Sequence, residues 1–212
     1  SAHGNPGTIT LHGFHDAPRA PLQRLRAPRI GIYQSWTANI DAGWTRWALE
    51  EYGFEYQALT NDRLQSESLR NSYDVIIFPD QNVNGIVNGY PANEMPAPYA
   101  GGIGESGVRN LRQFVEKGGI LIALNAASEL AIKYMPLKLE DVMPNLPRQQ
   151  FSAPGSILRV LAEDSHPLAW GARKEEAIFF LESPAFRWAE GAALQGRAIL
   201  SYPAGDLLLS GW

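Results

Sequence analysis

From Pro28 onward, short apolar runs alternate with amphipathic stretches. Arg29-Ile30-Gly31-Ile32-Tyr33 reads as a strand. After it, Trp44, Trp47, Ala48 and Glu51 recur at helical spacing between about Asp41 and Tyr52, and Gly53 closes the run. That pattern predicts a helix with Asp41 as its N-cap and with Trp44 and Trp47 on its buried stripe. A strand over Phe54–Leu59 follows, then a short helix opened by Thr60-Asn61-Asp62 and running through Leu69. Tyr73-Asp74-Val75-Ile76-Ile77-Phe78-Pro79 is apolar on both faces, as a buried parallel strand must be.

Residues 81–104 are rich in Asn, Gly and Pro and read as a long loop above the sheet. A helix from Val108 to Glu116 ends at Lys117-Gly118-Gly119, and a fourth strand covers Gly119–Leu124. Ser128–Tyr134 is a short helix stopped by Pro136. Strands alternating with helices imply βαβ units and a three-layer α/β domain with a mainly parallel central sheet. The remainder reads as strands at Ser156–Leu161, Ala177–Leu181, Ala198–Tyr202 and Leu207–Leu209, expected as a β-rich C-terminal extension of the same sheet.

Composition adds mainly exclusions. The 212 residues are 45% hydrophobic and 19% charged, which suits a globular domain with a real core. A net charge of −4 spread along the chain, with no basic run, argues against a nucleic-acid partner. No apolar stretch reaches the ~20 residues a membrane span needs, and no secretory leader opens the sequence. Cysteine is absent, which removes disulfides, thiolate metal sites and thiol catalysis but assigns no compartment. The polar start and the apolar finish, Asp206-Leu207-Leu208-Leu209-Ser210-Gly211-Trp212, suggest a cut or processed piece.

The most informative stretch is the fourth strand running into Asn125-Ala126-Ala127-Ser128-Glu129-Leu130. Many α/β enzymes expose a nucleophile at such a strand-to-helix turn. Here the turn offers an asparagine and two alanines, so the scaffold of an active site stands without an evident attacking atom.

Taken together, Gly31-Ile32-Tyr33-Gln34-Ser35-Trp36, Asp41-Ala42-Gly43-Trp44-Thr45-Arg46-Trp47, Phe78-Pro79-Asp80-Gln81, Gly101-Gly102-Ile103-Gly104-Glu105 and Ser165-His166-Pro167-Leu168-Ala169-Trp170-Gly171 carry a resemblance. From about Arg29 to the end, the chain resembles the glutamine-amidotransferase-like domain at the C-terminal end of bacterial zinc carboxypeptidases of the carboxypeptidase A type. The resemblance implies a flavodoxin-like three-layer α/β/α sandwich over residues 29–212, which the apolar finish leaves cut short at its C-terminal end, whereas residues 1–28, with four prolines and one strand candidate at Thr8–His12, read as a linker or tail strand. It also implies an upstream peptidase domain in the same polypeptide and export to the periplasm or beyond. Amidotransferase catalysis is not implied, because the elbow lacks cysteine. Zinc peptidase chemistry is not implied either, since none of His3, His12, His15 and His166 is followed by glutamate three residues on.

Ligands of open α/β sheets bind beyond the carboxyl ends of the strands. Gln34, Ser35 and Trp36 leave the first strand there, Asp80 and Gln81 the third, and Asn125, Ser128 and Glu129 the fourth, with Glu105 in the loop between. These residues suit a small polar ligand such as a peptide end or a sugar. The plainer alternative has Asp80 and Ser128 capping helices and Asn125 satisfying loop amides. Two other functions stay open: a hydrolase with Ser128 as nucleophile and Glu129 and His166 as helpers, and a carbohydrate-binding module using Trp36. His166, before a proline in a turn, reads as structural. His12-x-x-His15-Asp16 has metal-like residue types in loose spacing and is not taken as a metal site. No cofactor is expected.

Overall fold

The structure, a computed structural model, describes residues 26–211 apart from 38, 67, 145, 148, 150 and 191–195. The strand expected at Thr8–His12 and the His12, His15 and Asp16 group lie outside the described residues. Four strands, β1 (Ile30–Tyr33), β2 (Tyr56–Leu59), β3 (Val75–Phe78) and β4 (Ile120–Ala123), form a parallel sheet in the order β2-β1-β3-β4. β1 is buried at all four positions, as its unbroken apolar run requires of a strand covered on both faces.

The helices are α1 (Ile40–Glu51), α2 (Asn61–Ser66), α3 (Leu69–Ser72), α4 (Val83–Val87), α5 (Gly104–Glu116) and α6 (Ser128–Tyr134). Tyr33, Leu59, Ile76 and Phe78 from one face of the sheet share the main core with Leu64, Leu69, Ile86, Leu111, Phe114 and Leu130 from α2–α6. The Tyr33 and Phe78 rings stack there with centroids 4.8 Å apart. On the opposite face, Ile30, Ile32 and Ile77 pack against Leu49 of α1. Register pairs Ile77 with Ile122, so Ile122 and Ile120 point to the α1 side, yet they are 39% and 57% exposed. Among the described residues the second helical layer is therefore α1 alone, and it leaves β4 uncovered on that side.

The rotation of α1 corrects an expectation. Ala42 is buried and Thr45, Arg46 and Leu49 are half-buried, whereas Trp44 and Trp47 are 63% and 53% exposed and meet edge-on at 5.7 Å. The aromatic stripe exists but faces away from the sheet. Its cause is the cap, which is Asn39 rather than Asp41. Asn39 Oδ1 accepts from the Ala42 amide (3.1 Å), and its Nδ2 donates to the Asp80 carbonyl (2.8 Å). Pinned at that end, the helix turns its small residue, Ala42, toward the strands. Trp44→Gln and Trp47→Gln are accordingly expected to change stability by less than about 0.5 kcal/mol each in urea denaturation. Buried tryptophans would cost several times that.

Other elements also depart from the sequence reading. The helix expected from Thr60 to Leu69 is two, α2 and α3. The supposed loop over 81–104 contains α4, capped by Asn82 Oδ1 on the Gly85 amide (2.7 Å), and a 3-10 turn at Ala97–Tyr99. The strands β5 (Leu139–Asp141), β6 (Pro154–Ala162), β7 (Glu175–Leu181), β8 (Phe186–Trp188), β9 (Leu200–Ser201) and β10 (Leu208–Ser210) do not extend the central sheet. They build an antiparallel β10-β6-β7 sheet, with β9 also on β6, and a separate β5-β8 pair. Of these pairings only β6 with β7 joins consecutive strands, and Leu158, Val160 and Phe180 give the antiparallel sheet buried apolar positions of its own.

Candidate functional site

β1 has β2 on one side and β3 on the other, so the chain leaves β1 and β3 in diverging directions and opens a crevice at their carboxyl ends. Two adjoining hollows occupy it. One, of about 510 Å3, lies between Asn39 and Asp41 on the β1 side and Asp80, Asn82 and Asn84 on the β3 side. The other, of about 380 Å3, is bounded by Gln34, Trp36, Gly43 and Arg46. Ser35, Thr37, Asn39 and Gln81 line both. Trp36 is half exposed and sits edge-on to Tyr99 at 5.3 Å.

The walls are tied to the core. Burial pushes the Tyr33 phenol well above its ordinary range, so it stays protonated and donates to Asn61 Oδ1 (2.9 Å). Asn61 Nδ2 in turn donates to the Gly101 carbonyl (3.2 Å), and Gln65 Nε2 to that of Gly102 (2.9 Å). These bonds hold the 88–103 segment against the strand ends.

At the end of β4, Asn125 adopts φ 46°, a left-handed backbone conformation that asparagine tolerates and most residues resist. Its Nδ2 donates to Asp80 Oδ2 (2.6 Å), while Asp80 Oδ1 accepts from the Ala126 amide (3.1 Å). Asp80 therefore braces the elbow rather than capping a helix. The Ser128 hydroxyl donates to the Asn125 carbonyl, Glu129 pairs with Lys133 (2.7 Å), and His166 Nδ1 accepts from the Leu168 amide (3.2 Å) within its own turn. Among the described residues no hydrogen bond joins Ser128 to Glu129 or His166. A serine hydroxyl spent on a backbone carbonyl and lacking an adjacent base is a poor nucleophile at neutral pH.

Of the residues singled out in the sequence, Gln34, Ser35, Trp36, Asp80 and Gln81 meet in the crevice, and Asn125 and Ser128 adjoin it through Asp80. Glu105 does not line it. Its side chain is 95% exposed and lies 3.6 Å from Arg109. Asn39 and Arg46 are what the sequence reading missed. Arg46 stands on the sheet-facing stripe of α1, and its Nε is buried with no hydrogen-bond partner. The sequence carried no signal for Arg46, because it lies opposite the Trp44 and Trp47 stripe that the spacing assigned to the core.

Among the described residues no three His, Asp or Glu side chains cluster as a metal site, and no helix is long and apolar enough to cross a membrane. A third hollow of about 750 Å3, lined by Leu139, Val160, Ile178, Phe186 and Trp188, lies in the C-terminal region. Arg187 and Arg197 at its rim are engaged by Glu140 and Glu163, so it offers little chemistry.

A parallel four-stranded sheet with its crevice at the β1/β3 ends and a sharp elbow after β4 defines a flavodoxin-like α/β fold. Solved structures agree. A glutamine amidotransferase from Thermotoga maritima superposes with a TM-score of 0.51 at 9% identity, covering 78% of this chain and 65% of that one. The protein SMU.1228c superposes with a TM-score of 0.50 at 9% identity, covering 81% and 67%. The chain thus spans about two thirds of the length of these neighbours, and at such identity the likeness is one of fold. No protein-family model and no curated protein sequence matches the chain.

Proposed function

We propose that this chain is a non-catalytic glutamine-amidotransferase-like domain that binds a small polar ligand in the β1/β3 crevice, as an accessory part of a zinc-carboxypeptidase-like protein. The observation that carries the reading is the elbow. Asn125 holds the exposed position with its amide committed to Asp80, and the nearby Ser128 hydroxyl is committed to the Asn125 carbonyl. The crevice meanwhile keeps the amides and hydroxyls that would recognise a ligand. The peptidase association rests on the Asp41–Trp47 stretch and the other motifs that carry the resemblance. The outward Ile40, Trp44 and Trp47 of α1 support packing against a partner domain, since exposed apolar clusters of this kind mark interaction surfaces.

Incubation with glutamine and with a panel of amides and esters tests the non-catalytic part. No turnover above the uncatalysed rate is expected, and Ser128→Ala should behave as the parent protein does. Turnover that Ser128→Ala abolishes would establish the hydrolase alternative instead.

A further inference from the structure

We infer that the β1/β3 crevice takes a neutral sugar, two linked rings lying against Trp36 and Tyr90; this names the ligand class of the crevice and rests on reading it as a ligand site. Three aromatic side chains outside the core stand around it. Trp36 borders the smaller hollow and Tyr90 the larger, and each is close to half exposed, as is Tyr99. Tyr99 meets Trp36 edge-on, with the rings at 79°, which supports the indole and leaves a face of it uncovered. Both tyrosines belong to the 88–103 segment. There the Gly101 amide donates to the Tyr90 carbonyl (2.7 Å) and the Tyr99 amide to that of Pro96 (2.8 Å), so their backbone is fixed before a ligand arrives. Aromatic rings grouped at the wall of a polar crevice suit the apolar C–H face of a sugar ring.

The polar lining suits the hydroxyls of such a ring. Among the described residues the side chains of Gln34, Thr37, Asp41 and Gln81 make no hydrogen bond or ion pair, whereas those of Asn39, Asp80 and Asn125 are committed to the protein. The free set offers two amides, a hydroxyl and a carboxylate, so donors and acceptors stand together. A sugar hydroxyl both donates and accepts, and two of them on neighbouring carbons match the two ends of an amide or a carboxylate. Asp41 and Asp80 line the larger hollow, so an anion would meet repulsion there. The hollows, of about 510 and 380 Å3, join through Ser35, Thr37, Asn39 and Gln81, and each has its own aromatic wall. They therefore form two adjoining places, one for each ring.

Calorimetric titration of the whole chain with cellobiose, maltose and diacetylchitobiose, and with acetyl-Ala-Ala-amide, adenosine and glucuronate for comparison, tests this. At least one disaccharide should bind with a Kd below about 1 mM, and about tenfold or more tightly than the three comparison compounds. Its affinity should not change between about 0.05 and about 0.5 M salt, because the ligand carries no charge. Trp36→Ala should weaken that binding about tenfold or more, and Trp36→Phe should keep part of it. Trp44→Gln, on the outward face of α1, should bind as the parent does. A thermal melt of each variant that matches the parent rules out misfolding as the cause. Disaccharide binding that Trp36→Ala leaves intact would overturn the assignment. If acetyl-Ala-Ala-amide, adenosine or glucuronate binds more tightly than every disaccharide and Trp36→Ala weakens it, the sugar assignment falls while the crevice remains a ligand site. No compound binding at about 10 mM, a concentration that reveals even very weak complexes, would remove both readings.

Discussion

Gly89→Ala is expected to destabilise the protein by about 3 kcal/mol, the sum of a backbone strain and a clash. Gly89 has φ 62°, where a β-carbon is unfavourable, and a methyl placed there would sit 2.1 Å from the carbonyl oxygen of Gly101 and 2.6 Å from the Gly102 nitrogen. Those atoms belong to backbone that is itself held in place. The Gly101 amide donates to the Tyr90 carbonyl (2.7 Å), and the Ile103 amide to that of Ile86 (2.9 Å). A flexible side chain would swing aside, but here the two strands of the 88–103 segment must separate. Because Gly89 and Tyr90 line the larger hollow, the same change should also weaken ligand binding. Urea denaturation of the variant measures the first effect. A loss under about 1 kcal/mol would mean that the segment is loosely held, contrary to this account.

Asp74→Ala is expected to cost nearly as much, about 2–3 kcal/mol, and by a different route. Asp74 accepts hydrogen bonds from the Arg29 amide, Nε and Nη2 (each 3.0 Å), from Arg70 Nη1 (2.7 Å) and from Arg26 Nη2 (3.0 Å), and its side chain is only 13% exposed. Through it the segment entering β1, α3 and the start of β3 are fastened at the amino-terminal ends of the strands. Arg26 and Arg29 keep contact with water, so the sum falls well short of five full charge-assisted bonds.

The Arg29 side chain, then the Arg29 amide and Arg70, hold the Asp74 carboxyl well below the usual carboxylate range. A depressed folded-state value places this stabilisation fully above the unfolded value near 4 and removes it as pH falls below that. The stability gap between parent and Asp74→Asn should therefore be largest at neutral pH and narrow as pH falls from about 4. A gap that widens in acid would contradict the assignment.

How legible was the molecule in its sequence? β1, β3 and β4 were, because unbroken apolar runs bounded by turn residues can be little else in a domain with alternating helices, and α6 was because Pro136 ends it. The elbow was also legible, since its meaning lies in what residue 125 is not. The orientation of α1 was not. Helical spacing finds an apolar stripe but says nothing of which way it faces, and here the bonds of Asn39 to Ala42 and Asp80 decide. The sheet membership of the C-terminal strands was hidden for a related reason. Period-two patterns mark strands, whereas partners such as Leu158 with Leu208, or Leu139 with Trp188, are set by long-range register. β5 and β8, at three residues each, are too short to show a period. In the site, Gln34, Ser35 and Gln81 followed from strand ends, but Arg46 lay inside a predicted helix and was read past.

The most direct test of the central claim, that the elbow is braced and not armed, is intact-protein mass after exposure to a fluorophosphonate and to an electrophilic glutamine analogue. The account predicts an unchanged mass, because Asn125 offers no nucleophile and the Ser128 hydroxyl is held by the Asn125 carbonyl, with no base bonded to it among the described residues. A stoichiometric adduct that maps to Ser128 and disappears in Ser128→Ala would contradict it, and would make this domain an enzyme.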